Sequence, residues 1–357
     1  MKRFMLVVAA LGLGWGVVEL VGRMVFGLHP LTGDRIALFT SPNWVADGRS
    51  VRWSPNTRIR TLAIYGDRIE YDVRFQTNDL GYIDHRDYGV TSEVPIDQRW
   101  AFIGDSFTAG HHGGTPWVPA LRDAAKGAEI YNLGVSGVGI GQFLPNLNVA
   151  DRQLDFANVV FLFISDDLTR RPWRPVVVDG RIVMCPLGVD DADCAQSTVP
   201  MFVLQDPDAG HAEIFASLER RALFASGPMA WLERRSIVFA ALRDSGEAQP
   251  EMYVDVRDWL DHLTRRHGDK ALYFLQIPEK HEVVRGALEF RVGDQIQAAG
   301  HRYVSLLDAC AFRTEHYFPH DPHLRADGYA ELRRCVGRVL GLLPPGSRPN
   351  PPLRASQ

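Results

Sequence analysis

Five short apolar runs, separated by helix-like segments, constrain the fold of this chain more than any other feature. The runs are Trp100–Ile103, Glu129–Leu133, Val159–Ile164, Ala271–Ile277 and Tyr303–Leu307, and the helix-like segments between them include Val118–Ala125 and Tyr253–Arg266. Strands that alternate with helices along a chain form a parallel sheet covered on both faces. The sequence therefore predicts an α/β fold with three layers, α/β/α, around a mainly parallel sheet.

The rest of the chain divides around this alternating region, which spans residues 99–345. Residues 30–98 are polar, and Ile69–Phe75 alternates apolar and polar residues as a half-exposed strand does. We expect an N-terminal extension that packs on the main domain without forming a catalytic unit. The alternation loosens over residues 171–247, where Asp179-Gly180 predicts a hairpin. This insertion is expected to form a lid or wall, and residues 346–357 a loose Pro-rich tail.

The N-terminus carries a membrane-directed pattern. Lys2 and Arg3 precede an apolar run from Phe4 to Val18, which continues past Glu19 to Gly22. A spanning helix needs about 20 mostly apolar residues, and leading cations keep the N-terminus in the cytoplasm. We expect residues 1–29 to be an uncleaved signal anchor that leaves the rest of the chain extracytoplasmic, periplasmic or on the cell surface. A cleaved signal peptide and a buried helix are the alternatives.

The charge and the cysteine content of the chain bear on its binding partners, its disulfides and its use of metals. The formal net charge is −4 and no cluster of Lys and Arg stands out, which argues against nucleic acid as a partner. In an oxidising compartment the four cysteines predict two local disulfides, Cys185 with Cys194 and Cys310 with Cys335, although three pairings are open. No cysteine pair has C-x-x-C spacing and no compact metal motif is present, so we expect neither a metal nor a cofactor.

The first apolar run ends abruptly in Gly104-Asp105-Ser106. Open α/β sheets bind their ligands at the carboxyl ends of the strands, where this serine would lie. Ser106 is therefore a candidate nucleophile, provided that a base lies within reach. Its alternative role is that of a helix N-cap.

Three more polar segments occur where a hydrolytic site would need them. Asn132–Gly137 follows the second run, Ser165–Leu168 follows the third, and His320–Tyr329 precedes an amphipathic last helix. Taken singly, they have simpler explanations as a glycine turn, capping aspartates and a polar loop. Their occurrence together, in this order after Ser106, favours a hydrolytic site.

These segments resemble the blocks of the SGNH, or GDSL-type, esterase and acylhydrolase superfamily over about residues 99–343, without much of the insertion. Gly104-Asp105-Ser106-Phe107-Thr108 is similar to the first block, and Gly137 matches the glycine that donates to the oxyanion hole. Asp321-Pro-His323-Leu resembles the last block, which carries the acid and the base. The resemblance implies a flavodoxin-like SGNH hydrolase fold and a Ser106–His323–Asp321 triad. Only one residue separates Asp321 from His323, whereas the commoner pattern has two.

The third block departs from the family. Asp166 stands where the family has an asparagine that donates to the oxyanion, together with Ser106 and Gly137. An ionised carboxylate has no hydrogen to donate. Three alternatives follow. Burial raises the pKa of Asp166 and keeps it protonated, or Ser165 supplies the donor in its place. The third is that the protein is a weak or inactive relative that binds a glycan without cleaving it. His111, His112 and Ser165 are candidate substrate contacts, with solvated loop residues as the alternative for the histidines.

The predicted function is that of a membrane-tethered serine esterase that hydrolyses O-acyl esters, above all O-acetyl esters, of a carbohydrate or another small substrate. Ser106 would form the acyl-enzyme, which water then hydrolyses. Transfer of the acyl group to a sugar would instead make the protein an O-acyltransferase of a surface polysaccharide, with the same triad. A module that binds glycan in a degenerate, catalytically weak or inactive site is the alternative from another functional class.

Overall fold

The computed structural model describes residues 12–18, 20–21, 35–41, 43–65, 68–88, 92–178, 181–191, 194, 201–216 and 251–344. The predicted anchor lies mostly outside these residues, although 12–18 and 20–21 are helical. Within the described part of the chain, no helix is long and apolar enough to cross a membrane. The predicted Pro-rich tail and most of the second half of the insertion also fall outside the described residues.

The described elements follow one another in this chain order. The strands are β1 Arg35–Thr40, β2 Trp44–Asp47, β3 Ser50–Trp53, β4 Arg58–Tyr65, β5 Arg68–Gln76, β6 Arg99–Gly104, β7 Glu129–Gly134, β8 Asn158–Phe163, β9 Trp173–Val178, β10 Arg181–Pro186, β11 Met201–Val203, β12 Ala271–Gln276 and β13 Arg302–Ser305. The helices are α1 Ser106–Ala109, α2 Trp117–Ala124, α3 Ile140–Ala150, α4 Val256–His267, α5 Lys280–Arg285, α6 Gly293–Ala298, α7 Leu306–Ala309 and α8 Ala326–Val339. Residues 211–216 are also helical.

The predicted parallel sheet is confirmed. Its strand order is β13-β12-β8-β6-β7, and every neighbouring pair is parallel, with Phe102 opposite Val160 in the register of β6 and β8. The predicted last strand is wrong at its end, because β13 stops at Ser305 and Leu306 begins α7. The carboxyl ends of β6, β7 and β8 therefore lie side by side, as the clustering of the polar segments requires.

Helices cover both faces of this sheet, because its strands are apolar on both sides. Phe161 and its neighbours pack on one face against α3 and α4, whereas Phe102 packs on the other against α2 and α8. All six residues of β7 and all six of β8 are buried. Such two-sided burial is typical of parallel sheets and makes this layer the rigid base of the molecule.

A second sheet joins the extension to the insertion, which the sequence did not predict. Its strand order is β5-β4-β1-β11-β10-β9, so β1 of the extension pairs directly with β11 of the insertion. The expected hairpin is confirmed, since Val178 lies opposite Arg181 in the antiparallel pair of β9 and β10. Three strands of the extension and three of the insertion thus form one sheet, while β2 and β3 of the extension pair with each other in a separate two-stranded sheet.

The two expected disulfides are confirmed. Cys185 is bonded to Cys194 inside the insertion, and Cys310 is bonded to Cys335. The second bond ties the segment after α7 to the middle of α8. It therefore closes the loop that carries residues 320–323.

Candidate functional site

Ser106 lies in a sharp turn that only a glycine at position 104 allows. A Cβ atom on Gly104 would lie 2.2 Å from the backbone oxygen of Leu162 in the neighbouring strand. Asp105 accepts a hydrogen bond from the amide of Phe107 at 2.8 Å and is the N-cap of α1. Ser106 is therefore not the cap, and its hydroxyl is left to face the cavity next to it.

The base lies within hydrogen-bond distance of this hydroxyl. Ser106 Oγ is 2.7 Å from Nε2 of His323, although 217 residues separate them in sequence. On the other side of the ring, Nδ1 of His323 bonds with Oδ1 of Asp321. A proton on Nδ1 leaves the lone pair of Nε2 free to accept the serine proton. The three residues that the sequence predicted as a triad are thus in contact.

The short Asp-x-His spacing is compatible with this contact because one carboxylate oxygen serves the ring and the backbone of the histidine together. Oδ1 of Asp321 also accepts the amide hydrogen of His323 at 3.0 Å. Burial raises the pKa of Asp321, but the charge and hydrogen bonds of His323, together with the hydroxyl of Tyr65, outweigh burial and lower it to about 2. Asp321 is therefore an anion at neutral pH, ready to stabilise an imidazolium.

Gly137 borders the same cavity as Ser106 and His323. It has a φ of 77°, a left-handed conformation that favours glycine. The indole Nε1 of Trp173 donates to its carbonyl oxygen at 2.8 Å and holds the peptide in place. Ser106 and Gly137 thus meet at one cavity, where their backbone amides are the natural candidates for an oxyanion hole.

Asp166 also borders this cavity, but it is paired with a cation that the sequence analysis missed. Arg170 donates from Nε to Asp166 at 2.9 Å, and its Nη2 lies 2.7 Å from the same carboxylate. Nη1 of Arg170 reaches two buried carboxylates as well, Asp105 at 3.1 Å and Asp167 at 2.7 Å. The repulsive charge expected from Asp166 is therefore partly offset by a guanidinium that Asp166 shares with Asp105 and Asp167. The i, i+4 spacing of Asp166 and Arg170 was the available signal.

Ser165 does not take the role of donor that the sequence analysis considered for it. Its hydroxyl is fully buried and donates to Glu282 at 2.5 Å, while it accepts from Gln276 at 3.1 Å. Ser165 is not among the residues that line the cavity. The geometry therefore leaves Ser165 without a direct substrate contact.

His111 and His112 are buried side chains of the site, not solvated loop residues. The ring of His112 stacks on that of His323 with centroids 3.7 Å apart, and His111 lies 4.0 Å from His112. Burial, aided by the charge of His323 and opposed by Asp321, lowers the pKa of His111 to about 3. His111 is therefore neutral at physiological pH and adds no charge beside the base.

The cavity over Ser106 has a volume of about 450 Å³ and is walled mainly by aromatic and apolar side chains. The extension contributes Trp44, Trp53 and Tyr71, and the insertion contributes Trp173, Met184 and Met201. The expectation that the insertion forms a wall agrees with this geometry. The expectation that the extension merely packs on the main domain does not, because the extension lines the cavity and also touches the triad through Tyr65.

One group of side chains among the described residues has the spacing of a metal site. It comprises Glu279, His281 and Glu282. Protein groups already occupy these atoms, since Glu279 accepts from the amide of Asp166, Glu282 accepts from Ser165, and His281 bonds with a neighbouring glutamate. Burial and nearby carboxylates raise the pKa of Glu279 to about 8, so the Glu279 carboxyl is mainly protonated at neutral pH.

No protein-family model and no curated protein matches the chain. In structure it is similar to GDSL-type lipases and acylhydrolases. The lipase/acylhydrolase from Enterococcus faecalis is 13% identical with a TM-score of 0.36, over 70% of this chain and 100% of that one. A GDSL-like lipase from Bacteroides thetaiotaomicron is 12% identical with a TM-score of 0.33, over 70% and 92%. A carbohydrate acetylesterase family member from Sinorhizobium meliloti is 13% identical with a TM-score of 0.31, over 69% and 99%. Because these identities and TM-scores are low, the chemistry proposed below rests on the residues around Ser106.

Proposed function

We propose that this protein is a serine esterase that removes short acyl groups from oxygen esters through Ser106, His323 and Asp321. The observation that carries the proposal is the 2.7 Å contact between Ser106 Oγ and His323 Nε2, with Asp321 bonded to the opposite ring nitrogen. A serine hydroxyl is a weak nucleophile until a base accepts its proton. A neutral imidazole fixed by a buried carboxylate supplies that base.

The reaction proceeds in two halves. Ser106 Oγ attacks the ester carbonyl while His323 Nε2 takes its proton, and the resulting imidazolium then protonates the leaving alcohol as the C–O bond breaks. A water molecule next gives its proton to His323 and attacks the acyl-enzyme, and Ser106 recovers its proton as the acid is released. Both tetrahedral intermediates carry an oxyanion, and the amides of Ser106 and Gly137 are its proposed donors.

Arg170 removes the main objection to this chemistry. A carboxylate beside a developing oxyanion repels it, and the loss of one donor alone costs about 10²–10³ in turnover elsewhere. Here the guanidinium of Arg170 lies between Asp166 and Asp105. We propose that it offsets the charge of Asp166, so that the site works with two backbone donors and without the asparagine of the usual third block.

The proposed substrate is an O-acetyl or other short acyl ester of a carbohydrate. The support is the cavity, which is lined by Ser106 together with indole rings from the extension and the insertion. Flat aromatic faces bind the apolar faces of sugar rings, and the aromatic side chains bury a large area at small entropic cost. His111 and His112 also line the cavity, and because their Nδ1 atoms are buried, Nε2 is the ring nitrogen that would bind a sugar hydroxyl.

We also propose that the domain is extracytoplasmic and held at a membrane by its N-terminal helix. In the described helical residues, large apolar side chains are exposed, with Leu13 75% and Leu20 57% exposed. A contiguous apolar surface of this kind is typical of a helix that contacts a membrane. The two disulfides are of the kind that persists in oxidising compartments.

Hydrolysis of p-nitrophenyl acetate by the protein and by its Ser106→Ala variant tests the proposal. We expect turnover by the first and a background rate for the second, since no other group would take the acyl carbon. Equal background rates from both would favour a glycan-binding module. A repeat with an added oligosaccharide acceptor, read by mass spectrometry, separates hydrolysis from transfer, because a transferase would acetylate the sugar.

A further inference from the structure

Asp321 is bonded by a residue of the extension as well as by His323. Tyr65, the last residue of β4, donates its hydroxyl to Oδ2 of Asp321 at 3.0 Å. The other carboxylate oxygen, Oδ1, serves the ring and amide of His323. Asp321 is fully buried and Tyr65 is 6% exposed. Both oxygens of the buried carboxylate are therefore held, each from a different part of the chain.

Residues of β4 and β5 also contact the loop residues that precede Asp321. Glu70 in β5 accepts the amide hydrogen of His320 at 2.9 Å, and the ring of Tyr65 stacks on that of His320 with centroids 5.8 Å apart. The ring of Tyr71 lies 5.5 Å from that of Phe318. The hairpin of β4 and β5 thus contacts this loop at Phe318, at His320 and at Asp321 itself.

We propose that Tyr65 is a positioning residue of the catalytic centre, and that the extension is thereby a necessary part of the enzyme. The inference rests on the proposed esterase function. A carboxylate held through one oxygen can rotate about its χ2 angle, and a second bond to the other oxygen stops that rotation. The hydroxyl also draws charge from the carboxylate, so it tunes how strongly Asp321 attracts the imidazolium of His323.

The direct test is Tyr65→Phe in the full chain, which removes one oxygen atom and keeps the ring. We expect kcat to fall roughly tenfold with little change in KM, because the hydroxyl orients the triad and touches no substrate. The acid limb of kcat/KM should move to higher pH, because a carboxylate without the tyrosine bond favours the imidazolium more. A loss of packing alone would lower the rate without moving this limb. Tyr82→Phe, at another buried tyrosine of the extension, is the control and should leave rate and pH profile unchanged.

A double-mutant cycle with Asp321→Asn decides whether Tyr65 acts through the carboxylate. The asparagine side chain keeps the shape of the aspartate but has no charge for the hydroxyl to tune. We expect Tyr65→Phe to change the rate less than about twofold in that background. A tenfold fall that persists in the Asp321→Asn background would overturn the inference, and so would an unchanged rate and pH profile for Tyr65→Phe alone.

A magnetic-resonance readout separates failure of this inference from failure of the proposed function. The proton between His323 Nδ1 and Asp321 should give a downfield signal that moves in Tyr65→Phe and stays in place in Tyr82→Phe. This measurement needs no turnover. If the wild-type protein has no esterase activity and the signal still moves in Tyr65→Phe, the proposed function is refuted and the contact between Tyr65 and Asp321 stands. An unmoved signal in an active enzyme would refute the role of Tyr65.

Discussion

Replacing Arg170 by methionine should destabilise the fold in a pH-dependent way. Arg170 reaches three carboxylates, and two of them, Asp105 and Asp167, are fully buried. Removing one partner of a buried ion pair costs about 3–5 kcal/mol, because the remaining charge is left without compensation. The guanidinium side chain is itself 24% exposed, so we expect the lower end, about 3 kcal/mol at pH 7.

The sign of the pH dependence follows from Asp167. Burial, followed by the charge of Asp105, raises the pKa of Asp167 well above its usual value, and Arg170 opposes this rise. Without Arg170 the pKa of Asp167 rises further in the folded state. A carboxyl group with a raised folded pKa loses stability as pH rises above its unfolded pKa. At acid pH the Asp167 carboxyl is protonated with or without Arg170, so the destabilisation should be smallest there and should grow as pH rises past the raised folded-state pKa of Asp167.

Urea unfolding followed by tryptophan fluorescence, at several pH values between 4.5 and 8, measures this effect. Arg171→Met is the matched control, because Arg171 is exposed and its guanidinium lies 5.9 Å from the centre of the Tyr253 ring. That contact is worth at most about 1 kcal/mol. A difference of less than about 1 kcal/mol between the two variants at pH 7, or one independent of pH, would refute the ion-pair account of Arg170.

Three further outcomes follow from the site and its loop. Asp166→Asn should raise kcat on p-nitrophenyl acetate about five- to tenfold, since a repelling carboxylate becomes an amide with a donor; no gain would place residue 166 outside the oxyanion hole. The acid limb of kcat/KM should have unit slope above about pH 4, because the pKa of Asp321 is about 2 and protonation of His323 alone then stops the reaction; a slope of two would contradict this. Joint replacement of Cys310 and Cys335 by serine should lower the free energy of unfolding in urea by about 3.5 kcal/mol, as expected for a 25-residue loop. A loss below about 1 kcal/mol would show that this disulfide does not stabilise the loop that carries His323.

The parallel sheet was readable from the sequence because its signals are local. Strands such as β8, buried on both faces, appear as unbroken apolar runs, and the polar residues after them mark the edge where a site forms. Ser106 was found in the same way, from the pattern at the end of the first run, whereas the role of His323 came from the resemblance of Asp321-Pro-His323-Leu to the last block of the family. The rule that ligands bind at the carboxyl ends of parallel strands placed Ser106 at the site, and the resemblance supplied the predicted contact with His323.

The second sheet was not readable, because its pairing is not local. β1 and β11 lie more than 160 residues apart in sequence, and neither short strand has a pattern that indicates which strand it pairs with. The part of the cavity wall that the extension supplies and the Tyr65 bond to Asp321 were missed together, because both depend on where the extension packs. Arg170 was missed for another reason: its partners include Asp105, which only the fold brings near.

Covalent labelling of Ser106 tests the central claim most directly. A fluorophosphonate reacts with a serine only where a base removes its proton, so we expect one adduct, on the peptide that contains Ser106, and none in a His323→Ala variant. Labelling that fails in the folded wild-type protein, or that proceeds equally well without His323, would contradict the account.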